Sequence, residues 1–207
     1  MKGQHFIIAI GGSAGSLEAI QEFFDQTVLG HNSYIIIRHL PEDYFSRLKE
    51  ILEHHSKLSI VNVDRAMPLQ INTVYIGPSD KDIIIKGGQL QLVKREIEAI
   101  HYPVDLFFQS LAEGAIGKRA IAIVLSGVGS DGTKGIQNIK KAGGMVIAQD
   151  PESCLQDMMP RYAIGSGFVD HIAAPSEMPK LIRSYTKSIE SISNKDVSSR
   201  TPPGYPL

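Results

Sequence analysis

Three short stretches carry reactive side chains beside a glycine turn or at the end of an apolar run. In "AIGGSAGSLEA", Ser13 lies between Gly11 and Gly15 in the spacing G-x-S-x-G. Small neighbours let the chain turn sharply and expose the hydroxyl at a helix N-terminus, where free N–H groups and the helix dipole favour a developing oxyanion. In "IIIRHLP", His39 closes a β-branched run, and in "IVLSGVGSDGTKGI", Asp131 sits in a glycine turn after another. A hydroxyl nucleophile, an imidazole base and a carboxylate that orients the base are the parts of an acyl-transfer site. Each stretch also has a plainer reading. Ser13 and Asp131 could be ordinary helix N-caps, and a histidine at a strand end can be purely structural. Gly127-x-Gly129-x-x-Gly132, with Asp150 closing the next strand, matches a nucleotide or dinucleotide fingerprint. Against it, Asp131 would set a carboxylate inside the pyrophosphate cradle, where two anions at ~4 Å repel by roughly 1–4 kcal/mol.

The elements that must position these groups alternate between β-branched runs and helical periodicities, which predicts βαβ units and a parallel sheet. Strands are expected over 5–10, 33–39, 57–63, 119–125, 144–150 and 167–173. Helices are expected where Leu17, Ile20 and Phe24, then Phe45, Leu48 and Leu52, share a face. A third stripe joins Val104, Phe107, Phe108, Leu111 and Ala115 behind Pro103. A fourth helix spans about 132–142, and Met178, Leu181, Ile182, Tyr185 and Ile189 mark the last. Residues 73–95 change texture, with Gly-Pro-Ser-Asp and Lys-Gly-Gly between short strands, and read as antiparallel hairpins inserted at the sheet edge. The fold class is therefore α/β: a doubly wound, mostly parallel sheet with helices on both faces and a small antiparallel hairpin insertion. In such a sheet, sites form beyond the carboxyl ends of the strands. Ser13, His39 and Asp131 all project from that edge.

Bulk properties narrow the function. Twenty-one Lys and Arg against 22 Asp and Glu give a net charge of −1, with no electrostatic footprint for nucleic acid or an anionic membrane. A single cysteine, Cys154, excludes an intramolecular disulfide and fits a reducing compartment. No apolar run approaches the ~20 residues that cross a bilayer. A cytoplasmic protein is expected. His54 and His55 are adjacent and diverge on a helix, so no metal is expected, and no cofactor. Cys154, Met158 and Met159 read as packing residues.

The blocks "IAIGGSAGSLEAI", "IIIRHLPEDYFSRL", "VYIGPSDKD", "PVDLFFQSLAE", "IVLSGVGSDGTKGI" and "VIAQDPESCLQDMMPRYAIGSGFVD" resemble, in order, the chemotaxis protein-glutamate methylesterase (CheB) catalytic domain over about residues 5–185. The resemblance implies hydrolysis of glutamate γ-methyl esters on chemoreceptor cytoplasmic helices, with release of methanol, and deamidation of receptor glutamines. It matches the nucleophile to Ser13, the base to His39 and the orienting acid to Asp131. It puts the oxyanion donors on backbone N–H groups at Ala14 and Val128. Arg161 falls on a family-like block and is a candidate for orienting an acidic substrate. A catalytically inactive receptor-binding relative is the remaining alternative.

This sequence departs from the family pattern in two places. Gly12 and Ser16 stand where the family has Ala and Gly, and Arg38 stands where a Gln commonly precedes the histidine. The family's usual N-terminal receiver domain has no counterpart in these residues, so control by phosphorylation in cis is not expected. "AQDPES…MP" and "SEMP" resemble most the esterase domains of methylesterase–methyltransferase fusion proteins, implying fusion or association with methyltransferase or signalling domains. The expected organisation is a methylesterase domain over 1–190 and a flexible tail or linker over 191–207.

Overall fold

The computed structural model describes residues 4–38, 45–95, 101–114 and 116–198. In chain order the elements are β1 (Phe6–Gly12), α1 (Ser16–Asp25), β2 (Asn32–Arg38), α2 (Phe45–His55), β3 (Ser59–Asn62), β4 (Met67–Pro68), β5 (Thr73–Ile76), β6 (Lys81–Lys86) and β7 (Gln89–Lys94). They continue with α3 (Pro103–Glu113), β8 (Ala120–Val124), α4 (Thr133–Lys141), β9 (Met145–Gln149), α5 (Met158–Gly165), β10 (His171–Ala173) and α6 (Met178–Ser198). Seven strands form one sheet in the order β10-β9-β8-β1-β2-β5-β3, with every neighbouring pair parallel.

The continuous apolar runs follow from burial on both faces. In β1, Phe6, Ile8 and Ile10 face a layer with Ala19, Ile20, Phe23 and Phe24 of α1, Leu48 and Leu52 of α2, and Met178 and Ile182 of α6. Ile7 and Ala9 face the opposite layer with Val104, Phe107, Phe108 and Leu111 of α3, Ile136 and Ile139 of α4, and Met159 and Ala163 of α5. The chain runs from β1 to β2 on one side and from β8 to β9 on the other, so the strand order reverses between β1 and β8. The α3 crossover carries the chain across that boundary. Parallel α/β sheets open a crevice there, at the carboxyl ends of the strands.

The middle segment differs from the sequence expectation. Only β6 and β7 form an antiparallel hairpin, joined by β4 in a separate three-stranded sheet. Thr73–Ile76 instead lies in the main sheet, parallel to both β2 and β3. A short apolar run has no internal signal for which sheet it joins; that is decided by distant partners. The hairpin buries Ile83, Ile85 and Leu90 in the α3-side layer, and the Ile85 N–H donates to Ser110 Oγ of α3 at 3.0 Å. Helix α6 continues to Ser198, past the 191 boundary, with Ile192 exposed. Ala115 of the α3 stripe lies outside the described residues.

Candidate functional site

The serine turn is set by close packing. A side chain on Gly11 would meet Val104 Cγ1 at 2.3 Å, so α3 lies directly against the end of β1. Gly15 has φ 74°, a left-handed conformation that costs glycine no Cβ clash. The Ser13 N–H donates to the Ser126 carbonyl at 3.0 Å, extending the β1–β8 ladder into the loop. The Ser13 carbonyl accepts from both the Ser16 N–H, at 3.2 Å, and the Ser16 hydroxyl, at 2.7 Å. The N-cap of α1 is Gly15, without a side-chain cap. The hydroxyl of half-buried Ser13 is therefore not spent on capping, and the plainer reading of this residue fails.

Gly12 and Ser16 prove to be one feature. A Cβ on Gly12 would lie 2.8 Å from Ser16 Cβ and 2.9 Å from its Oγ. The space left by the missing methyl at position 12 is occupied by the side chain at position 16.

Asp131 follows β8 and is 4% exposed. Its Oδ2 accepts from the Val104 N–H at 2.9 Å, and its Oδ1 accepts from the Asp105 and Gly132 N–H groups, both at 2.8 Å. Two of these donors belong to the first turn of α3, whose N-cap, Tyr102, offers no side-chain cap. Asp131 therefore caps a helix remote in sequence rather than α4, the helix it precedes. Asp105 answers from α3: its Oδ1 accepts from the Gly135 N–H of α4 at 2.7 Å. Burial and the nearby Asp131 charge push the Asp105 carboxyl above its usual range. Sequence reasoning missed Asp105. An Asp in a first helical turn is an ordinary signal, and its acceptance from a second helix is visible only in three dimensions.

Arg38 ends β2 opposite Gly12 in the strand register, one residue before position 39. Burial lowers its guanidinium to about 10, with Glu18 opposing the shift, and its buried Nε has no hydrogen-bond partner among the described residues. His39 lies outside the described residues. What the sheet fixes is that β8, β1 and β2 are consecutive parallel neighbours, so their carboxyl ends lie side by side at one edge. Neighbouring strands lie ~4.8 Å apart.

A polar network sequence reasoning also missed braces the rim. Gln149, 1% exposed, accepts the Ser126 N–H on Oε1 at 2.8 Å and donates from Nε2 to the Ser153 carbonyl at 3.0 Å. The Ser126 hydroxyl lies 3.1 Å from the Ala14 carbonyl and 3.0 Å from the Gln156 carbonyl, and accepts the Gln156 N–H. The only sequence hint was a polar residue closing the apolar run "MVIAQ". Neither the Ala14 nor the Val128 N–H donates to another group among the described residues. Val128, Leu155, Met158 and Tyr162 expose apolar surface around the turn. Of the two methionines expected to pack, Met159 is fully buried, whereas Met158 is exposed. Arg161 is exposed on α5 and pairs with Asp157, Nε to Oδ2, at 2.6 Å. Cys154 is held up to about 11 by burial and by Asp157 and Asp150, which leaves its thiol a poor nucleophile at neutral pH.

The dinucleotide alternative does not fit this geometry. The N–H groups that would cradle a pyrophosphate at the α4 start are taken by Asp131 on Gly132 and by Asp105 on Gly135. Asp150, the candidate ribose acid, caps the 3-10 turn Pro151–Ser153, accepting the Glu152 N–H at 3.1 Å. A Cβ at Gly127 would meet Met159 Sδ at 2.1 Å, so protein, not ligand, fills the space beside that glycine.

Fold and site define the class: a doubly wound α/β domain whose serine turn and capped carboxylate flank the switch point of a parallel sheet. The chain belongs to the CheB methylesterase family, whose profile matches residues 8–182. It is similar to the crystal structure of the Thermotoga maritima CheB methylesterase catalytic domain, with a TM-score of 0.79 and 26% identity, covering 89% of this chain and 99% of that one. It is 31% identical to protein-glutamate methylesterase/protein-glutamine glutaminase 2 of Vibrio vulnificus over 86% of this chain and 53% of that protein. It is 42% identical to an uncharacterized 104.1 kDa protein of Rhodobacter capsulatus over 59% of this chain and 13% of that protein. The chain thus spans about half the length of the Vibrio relative and a small part of the Rhodobacter one.

Proposed function

We propose that this domain is a serine hydrolase that demethylates glutamate γ-methyl esters on the cytoplasmic helices of chemoreceptors and deamidates receptor glutamines at the same site. The observation that carries the proposal is the pairing, at one sheet edge, of a serine hydroxyl unused by its own helix with a carboxylate fixed by three N–H groups. Ser13 is the nucleophile, His39 the base and Asp131 the group that orients the base. As Ser13 Oγ bonds to the ester carbonyl carbon, His39 takes the hydroxyl proton. The C–OCH3 bond then breaks, and methanol leaves with the proton returned from His39. Water repeats both steps on the acyl-enzyme and frees the glutamate. Asp131 holds the imidazole tautomer and stabilises its charged form. The Ala14 and Val128 N–H groups serve as oxyanion donors, each lowering the barrier by ~3–4 kcal/mol.

The exposed Val128, Leu155, Met158 and Tyr162 form the surface on which a receptor helix rests, with Arg161 at its margin for acidic side chains. No described helix is long and apolar enough to cross a membrane, which accords with a cytoplasmic site of action. In the cell this domain works beside methyltransferase or signalling domains by fusion or association.

Methanol release from methylated receptor cytoplasmic fragments is the test. The wild type should release methanol, and Ser13→Ala, with an unchanged melting temperature, should fall to the uncatalysed level. Near-normal turnover by folded Ser13→Ala would end the hydrolase assignment. A wild type that binds the fragments without releasing methanol would favour the inactive receptor-binding alternative.

A further inference from the structure

We infer that Asp105 is a positioning residue for the reaction, holding the Asp131 carboxylate in place by tying the first turns of α3 and α4 together. The inference rests on Asp131 being the orienting acid of the proposed hydrolase.

The four contacts form a closed circuit. Both Asp131 oxygens are anchored, and the Val104 and Asp105 N–H groups that anchor them move with the first turn of α3. That turn is in turn anchored by the Asp105 side chain, whose Oδ1 accepts the Gly135 N–H of α4 at 2.7 Å. From Gly135 the backbone leads back through Gly132, whose own N–H donates to Asp131, to Asp131 itself. The helices touch here: a Cβ on Gly135 would lie 2.5 Å from Phe108 Cβ and 3.1 Å from Asp105 Cα. A displacement of α3 relative to α4 would therefore shift the carboxylate, and a misplacement of ~1 Å can cost about 10²-fold in rate.

The circuit also sets two carboxylates side by side. Lys134 is a cation near Asp105, and its Nζ lies 6.0 Å from the Tyr102 ring centroid. A neutral acceptor would avoid that repulsion. A carboxylate accepts a backbone N–H more strongly than an amide does, and both sit at helix N-termini that favour negative charge. The arrangement therefore favours rigidity at the circuit over local electrostatic ease.

The test is a double-mutant cycle between positions 105 and 131, read by methanol release under single-turnover and steady-state conditions. Asp105→Asn keeps an acceptor oxygen and should fold. It should lower kcat by about 3- to 10-fold with KM within about twofold, and Asp105→Ala should lower kcat further. In an Asp131→Asn background, Asp105→Asn should change kcat by less than about twofold, because the group it positions is already lost. The inference is overturned by wild-type kcat in Asp105→Asn, by a loss carried on KM, or by the same fold-loss in both backgrounds. Ser13→Ala in parallel separates the two hypotheses. Turnover by Ser13→Ala retires the hydrolase reading, whereas an inactive Ser13→Ala beside an unaffected Asp105→Asn retires only the role of Asp105.

Discussion

At the scale of single residues, Gly12 and Ser16 illustrate how two departures from a family pattern can be one change. The family's Ala and Gly are exchanged here for Gly and Ser, and the Ser16 side chain lies where a methyl on Gly12 would go. Gly12→Ala should therefore overpack the turn, costing ~1–3 kcal/mol in a thermal or denaturant melt. Adding Ser16→Gly should return most of that loss, although Ser16→Gly alone should destabilise by removing the hydroxyl bond to the Ser13 carbonyl. Additive penalties in the double variant would show that the two positions are independent. The coupling was not legible in the sequence, where both residues read simply as small neighbours of a nucleophile. The i,i+4 contact that links them depends on how the left-handed Gly15 launches the helix.

At the scale of elements, the helix starts matter most. Asp131 satisfies two N–H groups of α3 and that of Gly132 just before α4, so removing its carboxylate should disturb the fold as well as the chemistry. Asp131→Ala leaves the buried Val104 N–H without its acceptor, a loss of ~1–3 kcal/mol that lowers the melting temperature by about 5 °C. Ser13→Ala, which breaks no capping contact, should leave it unchanged. Equal melting temperatures for Asp131→Ala and wild type would contradict the capping role. The sequence made the strands of the site readable because β1, β2 and β8 are apolar runs buried on both faces. It made Ser13 and Asp131 readable because glycines mark the turns after them. It left α5 unassigned, because "MMPRYAIG" is short and opens on a proline-bearing turn. It also hid the membership of β5 and the helix that Asp131 caps, since each is decided by residues far along the chain.

At the scale of the molecule, β1 is the keystone of the sheet. It pairs with β2 over its whole length and with β8 from Ile7 to Gly11, and its two faces are covered by different layers. The partner on one side is synthesised promptly, but the partner on the other comes only after the small sheet of β4, β6 and β7 and the α3 crossover. A chain ending after α3, at Gly114, should be insoluble or should associate, because the backbone groups of β1 would face water along an apolar, unprotected edge. A soluble, monomeric fragment of that length in sedimentation would show that β1 is shielded in some other way.

That late arrival bears on safety in the cell. A serine armed early would meet every ester and amide near a ribosome while the rest of the polypeptide was still emerging. In the proposed triad the nucleophile Ser13 is made first and its orienting acid Asp131 last, just after β8 and the Ser126 carbonyl that accepts the Ser13 N–H. On that proposal the molecule would be its own time lock, with reactivity arriving only when β8 has joined β1.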